Sequence, residues 1–131
     1  MWSLGLSLLS GGLDSTTVTT YACDKVDKLI AMTFEYGQTH VKEVQCARRI
    51  AEKLGIHHEL IDVSFLAKVA WYSSLTNPQR FSGPMDRDEK EMGNAIPITY
   101  VPLRNTLFLA IAGSYLESHV LYTIEVEKRD P

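Results

Sequence analysis

The sequence predicts an α/β fold: a three-layer open, mainly parallel sheet with helices on both faces. Three observations carry that expectation. Apolar runs of strand length alternate with segments whose apolar residues recur at helical spacing, the pattern of parallel strands joined by right-handed crossovers. A glycine pair stands where the first strand should hand over to a helix. The 131 residues suffice for one domain, 1–131, with a core that requires no disulfide or metal.

Leu4, Leu6, Leu8 and Leu9 form a first strand, expected to be covered on both faces. A helix follows over 13–25, with Leu13, Val18, Tyr21 and Ala22 at helical spacing. KLIAMTFEY at 28–36 reads as a second strand ended by Gly37. Thr39 is placed to cap a second helix, whose stripe is Val41, Val44, Ala47, Ile50, Ala51 and Leu54 and whose stop is Gly55. HELIDV at 58–63 makes a third strand and 64–71 a short helix. Residues 73–97 mix proline, glycine and charge without periodicity; a flexible surface loop and a lid over a site both fit. Beyond them come a helix near 105–117 and a strand VLYTIEV. No internal repeat is evident.

The apolar fraction of 45% and charged fraction of 22% are ordinary for a soluble globular chain. A net charge of −3 argues against a broad electrostatic grip on nucleic acid or anionic membrane. No apolar run approaches the roughly 20 residues of a membrane span. The opening MWSLGLSLLSGGLD lacks the basic flank of a signal peptide, so a cytoplasmic location is expected. Cys23 and Cys46 fall in separate helices at core or near-core spacing and are expected as buried free thiols.

The stretch LLSGGLDSTTVT at 8–19 carries the chemistry. Strand, glycine turn and helix start together present backbone N–H groups to an anion, and the helix dipole favours negative charge there. Gly11 and Gly12 let the chain take positive φ and let a phosphate come close, while Ser10, Ser15 and Thr16 offer hydroxyls. Asp14 either caps the helix or helps hold a magnesium ion that bridges carboxylate and phosphate. No lysine follows the glycines, so this is neither a Walker loop nor GxGxxG. His57-His58-Glu59 reads as an exposed strand start rather than a metal site, since strand neighbours point to opposite faces. Arg48, Arg49 and Lys53 with Glu43 and Glu52 read as a solvated face.

Ser10-Gly11-Gly12-Leu13-Asp14-Ser15 is similar to the SGGxDS PP-loop of the N-type ATP pyrophosphatases, also grouped as adenine nucleotide alpha hydrolase-like and Rossmann-like folds. FEYGQTHVKEV at 34–44, SSLT at 73–76 and PITYVPLRNTLFL at 97–109 further resemble one of its families, the 7-cyano-7-deazaguanine (preQ0) synthases of queuosine and archaeosine biosynthesis. The resemblance implies conversion of 7-carboxy-7-deazaguanine and ammonia to the nitrile through an adenylated carboxylate, with ATP and Mg2+. It implies a small-molecule substrate, no direct contact with nucleic acid, no membrane and, as commonly in the family, a homodimer. Phosphate-side residues are then Ser10, Gly11, Gly12, Leu13, Asp14, Ser15 and Thr16, with Asp14 on the metal and Asp14, Ser15 and Arg104 as catalytic groups.

Leu9 and the strand end from Ile30 to Phe34, Thr33 included, would border the adenine, at the carboxyl edge where open α/β sheets bind ligands near a reversal of strand order. Gln38 and His40 would face phosphates or substrate, although His40 reads equally well as a plain helix-start residue. Arg104 and Asn105 stand at another strand end and helix start, where a guanidinium can clamp phosphate or carboxylate. Beyond the last helix the family carries a GxNxxDxSxYPDCR-like segment and a four-cysteine zinc site; the zinc ligands are absent here, and the stretch after about 113 departs from the family pattern. The alternatives are a non-catalytic ATP-binding protein, a chain completed by a partner, or another PP-loop adenylating enzyme of amidotransferase-synthetase or tRNA-thiolating type. That last type is not expected to share EYGQ and TYVPLRN.

Overall fold

A computed structural model describes residues 2–36, 41–71 and 102–128. The element order is β1 (Leu4–Leu8), α1 (Leu13–Cys23), β2 (Lys28–Glu35), α2 (Val41–Leu54), β3 (His57–Asp62), α3 (Leu66–Val69) and α4 (Arg104–Glu125). The three strands form one parallel sheet in the order β1-β2-β3, and α1, α2 and α4 pack against it. This is the expected α/β fold. Register runs from Leu4 opposite Lys28 to Leu8 opposite Met32, and from Ile30 opposite His57 to Glu35 opposite Asp62. Among the described residues the strand order does not reverse, so the site borders the carboxyl ends of β1 and β2.

The central strand β2 is buried from Leu29 to Thr33, as a continuous apolar run requires. β1 differs from its expected double covering. Leu4, Leu6 and Leu8 are half-buried, because β1 has a strand neighbour on one side only among the described residues. Leu9, Ala31, Ala47 and Ala51 form the core cluster, with Ile50 and Ile56 packed on it. Helix α2 buries Val44, Ala47 and Ala51 of the expected stripe and half-buries Ile50 and Leu54, while Val41, in its first turn, is exposed. Gly55, at φ +67°, ends it: Ile56 N–H donates to Ala51 O at 3.1 Å across the left-handed turn.

Helix α1 packs differently from its apolar spacing. Leu13, Val18 and Tyr21 are exposed, at 81%, 60% and 66%, while Thr19 is buried and its hydroxyl meets Ser7 Oγ at 2.6 Å. Thr16, Thr17 and Thr20 donate their hydroxyls to carbonyls one turn back, and of these Thr17 and Thr20 are exposed; the buried residue of α1 is Thr19.

Three further expectations are corrected. VLYTIEV is no strand: the helix begun at Arg104 continues unbroken to Glu125. Its β-branched and aromatic residues yield to helix propagation, where each added residue gains a hydrogen bond, and Thr123 adds a back-bond to His119 O at 2.8 Å. By length and composition alone α4 is also long and apolar enough to cross a membrane, against the expectation that no apolar run comes near that size. It nonetheless packs on β1 and brings Phe108 and Tyr115 to side chains of β2 and β3, as a helix of a globular layer does. The thiols of Cys23 and Cys46 are free as expected, but neither is buried: Cys23 is half-buried, and Cys46 is exposed, since it lies beside the buried stripe of α2 rather than on it. Thr39 and the segment 73–97 lie outside the described residues.

Candidate functional site

The chain leaves β1 through Leu9, which is buried and gripped at both ends of its residue. Its N–H donates to Met32 O at 2.8 Å, and its carbonyl accepts the Thr33 hydroxyl at 2.6 Å. Ser10 N–H then donates to Ser15 Oγ at 3.1 Å, and the Ser10 and Ser15 hydroxyls lie 2.9 Å apart. The two glycines serve different ends. Gly11 adopts φ +88° against α2, where a Cβ would stand 2.5 Å from Glu43 O. Gly12 has extended backbone and is exposed; a Cβ there would meet nothing nearer than Ser10 Oγ at 3.6 Å, and its N–H donates to the same hydroxyl at 3.4 Å, a long bond that an approaching anion could replace.

Above this loop lies a cavity of about 340 Å³. Leu9, Ser10 and Ser15 form its loop side; Met32, Thr33, Phe34 and Tyr36 come from the end of β2; Arg104, Asn105 and Phe108 come from α4. Phe34 and Phe108 stack with centroids 3.9 Å apart, and Tyr36 lies 6.1 Å from Phe108, giving the cavity an aromatic wall. Burial raises the Tyr36 phenol pKa, while the charge and hydrogen bond of Arg104 oppose it. The guanidinium thus stands at the cavity with the phenol as a holder.

Of the residues singled out from sequence, Leu9, Ser10, Ser15, Thr33, Phe34, Arg104 and Asn105 meet around this cavity. Gly11, Gly12, Leu13, Asp14 and Thr16 form the adjoining turn and first helical turn outside its lining. Ile30 is buried in the sheet rather than on the cavity wall. Gln38 and His40 lie outside the described residues. Asp14 does not cap α1: the N-cap is Gly12, and no side chain bonds there. Asp14 is exposed in the first turn, the only acidic residue there. No cluster of three or more metal-ligating side chains occurs among the described residues. Asp14 is the carboxylate that this turn could offer a magnesium ion, a cation that commonly binds through one or two carboxylates together with phosphate and water.

The His57-His58-Glu59 reading also changes. His57 and Glu59 alternate onto one face and pair at 2.8 Å, with Tyr115 donating to the same carboxylate at 3.0 Å. His58 is half-buried on the other face and meets Thr33 Oγ1 at 2.7 Å. Burial pushes its pKa below 6.5; the charges of Arg48 and His57 act in the same sense, and Glu59 opposes them. Sequence reading missed Tyr36 and Phe108 as wall residues. Each sits inside a motif already quoted, and only the stacking of β2 on α4 shows that the two motifs meet.

An open parallel sheet, an anion-ready turn at its carboxyl edge and a neighbouring guanidinium define a nucleotide-binding α/β protein of the PP-loop kind. The family model described as "Queuosine biosynthesis protein QueC" matches residues 5–127, and the chain belongs to that family. The match runs well past residue 113, where the family pattern was expected to fade. The chain is 41% identical over 111 residues to the 7-cyano-7-deazaguanine synthase of Trichodesmium erythraeum, covering 84% of this chain and 49% of that protein. It is 44% identical over 110 residues to that of Syntrophus aciditrophicus, with 84% and 46% covered. For that of Clostridium kluyveri the figures are 42% over 117 residues, with 89% and 50% covered. The chain spans about half the length of the curated relatives it matches. Among solved structures, the NH3-dependent NAD synthetase from Campylobacter jejuni shares the fold at a TM-score of 0.53 and 15% identity, over 86% of this chain and 42% of that one.

Proposed function

We propose that this chain carries the ATP-handling site of a 7-cyano-7-deazaguanine synthase. The observation that supports this most is the cavity joining Ser10 and Ser15 of the SGGLDS loop to Arg104 of VPLRN, two motifs 89 positions apart that a turn without a ligand has no reason to unite. In this reading the turn from Ser10 to Thr16 receives the phosphates on its N–H groups and hydroxyls. Asp14 shares a magnesium ion with them. Leu9, Thr33 and Phe34 border the adenosine, and Gln38, Arg104 and Asn105 complete the pocket.

ATP supplies an adenylyl group that makes the substrate's carboxylate oxygen a leaving group; ammonia displaces AMP to give the amide, and a second activation of the amide oxygen dehydrates it to the nitrile. The protein's own work is positioning and charge stabilisation. Ser15 and the turn hold the departing pyrophosphate, and Arg104 offers two parallel N–H donors to phosphate or carboxylate. Partners are the small-molecule substrate and ammonia. The same reading places a homodimer in the cytoplasm, without contact to nucleic acid or membrane, and gives zinc no ligands in this chain.

The test supplies ATP, magnesium, ammonia and 7-carboxy-7-deazaguanine and follows nitrile formation beside ATP cleavage. Nitrile from the unaltered chain, lost in Asp14→Asn and Ser10→Ala with the fold retained, supports the proposal. ATP binding without product reduces the chain to a nucleotide-binding module, and wild-type turnover in both variants dismisses the loop's role.

A further inference from the structure

We propose that His58 is a positioning residue for the phosphate loop, acting through the Thr33 hydroxyl on the carbonyl of Leu9. The proposal rests on the reading that this loop holds a nucleotide's phosphates. Three atoms set the argument. Thr33 Oγ1 lies 2.6 Å from Leu9 O and 2.7 Å from His58 Nε2, and Thr33 is 3% exposed. A hydroxyl has one proton, and a carbonyl can only accept. The proton therefore goes to Leu9, and His58 Nε2 must be the donor to Thr33. That fixes the imidazole as the Nε2–H tautomer with Nδ1 bare.

Register explains how β3 reaches the loop at all. His58 stands opposite Ala31, and Thr33 is two residues further along β2, on the same face and within diagonal reach. Leu9 is the last residue before Ser10, and its N–H is held by Met32 O. With its carbonyl held as well, the peptide that leads into Ser10 has one orientation, and so has the Ser10 N–H that meets Ser15. Burial lowers the pKa of the imidazole, the direction that favours the form with a single bare nitrogen. His58 does not itself line the cavity, and its effect passes through Thr33, which does.

Two measurements test this. Nitrogen-15 NMR of the unaltered chain at pH 8 is expected to show His58 as the Nε2–H tautomer; an Nδ1–H tautomer overturns the proposal. Calorimetric titration with ATP and magnesium is then run on the wild type, His58→Phe and His58→Gln, with a thermal melt for each. Losing one neutral hydrogen bond in the relay is expected to weaken ATP binding about fivefold in His58→Phe. His58→Gln, which keeps an N–H donor, is expected to return it to within about twofold. Rescue by glutamine is the readout that packing alone would not move. Should His58→Phe fail to fold, the glutamine variant and the tautomer decide, and a fivefold loss in His58→Gln overturns the role. A wild type that binds ATP beside an indifferent His58→Phe removes the positioning role alone; a wild type that binds no ATP removes the nucleotide reading and this role with it.

Discussion

Replacing Gly11 by alanine tests the geometry from which the site is built. Gly11 holds φ +88°, a region that costs an alanine about 1–2 kcal/mol. Its new Cβ would also stand 2.5 Å from Glu43 O, 3.1 Å from Cys46 Cβ and 3.2 Å from Ala47 N. Two of these are backbone atoms of α2, so relief requires the helix to shift, at a further cost of about 1–3 kcal/mol as in an overpacked core. Lower chain entropy in the unfolded state returns only about 0.4–1 kcal/mol. The net loss is about 1–5 kcal/mol, a fall in Tm on the order of 10 °C for a domain of this size. Gly12→Ala is the internal control. Gly12 has ordinary extended backbone, φ −84° and ψ 171°, and an added Cβ would meet its nearest atom, Ser10 Oγ, at 3.6 Å, so stability should change by less than about 1 kcal/mol. Urea and thermal unfolding of both variants measure the difference. Equal stabilities would refute the claim that the loop is wedged against α2 at Gly11 and open at Gly12.

Three further expectations follow from particular bonds. Thr19→Val leaves the buried Ser7 hydroxyl without its 2.6 Å partner and should cost about 1–3 kcal/mol, whereas Ser7→Ala with Thr19→Val should cost less than the two single changes added, as a double-mutant cycle in urea will show. His58 is held below its ordinary pKa of 6.5, chiefly by burial, so the unfolded chain takes up its proton first. Its stabilising contribution is complete above about pH 6.5 and is lost as pH falls through the depressed value, and His58→Gln should flatten that limb of the urea-midpoint profile between pH 8 and 5.5. The Tyr115 phenol is raised by burial and then by its bond to the Glu59 carboxylate; Glu59→Gln should lower its ultraviolet titration midpoint, and Tyr115→Phe should cost no more than about 1 kcal/mol in chemical unfolding.

The layer order was legible because it depends on periodicity, and periodicity is local. The β2 run KLIAMTFE is apolar without alternation because both faces are covered, and the α2 stripe at Val44, Ala47 and Ala51 is the stripe that packs. Helix α1 was legible as a helix but not as a face. Its buried contact is Thr19, whose hydroxyl is matched by that of Ser7 on β1, a pairing that side-chain hydropathy does not register. VLYTIEV failed for a related reason. β-propensity measures fit to a half-buried sheet, and among the described residues no strand pairs with this segment to supply the fit, so the helix already running from Arg104 took it.

The site divides along the same line between local and non-local information. SGGLDS identifies a turn able to bind an anion, because glycine geometry and a helix start are properties of a few consecutive residues. It does not say which glycine serves the anion. The two are equivalent on paper, and only the approach of Glu43 O and Ala47 N from α2 assigns Gly11 to packing and leaves Gly12 open. The relay from His58 is more remote still, since it needs the register that sets His58 opposite Ala31, and a one-residue slip would turn the imidazole to the other face. The pair His57-His58 therefore splits by strand parity, His57 toward Glu59 and His58 toward Thr33. Parity was the argument that removed the pair from consideration as a metal site, and the same parity gives each histidine a different partner.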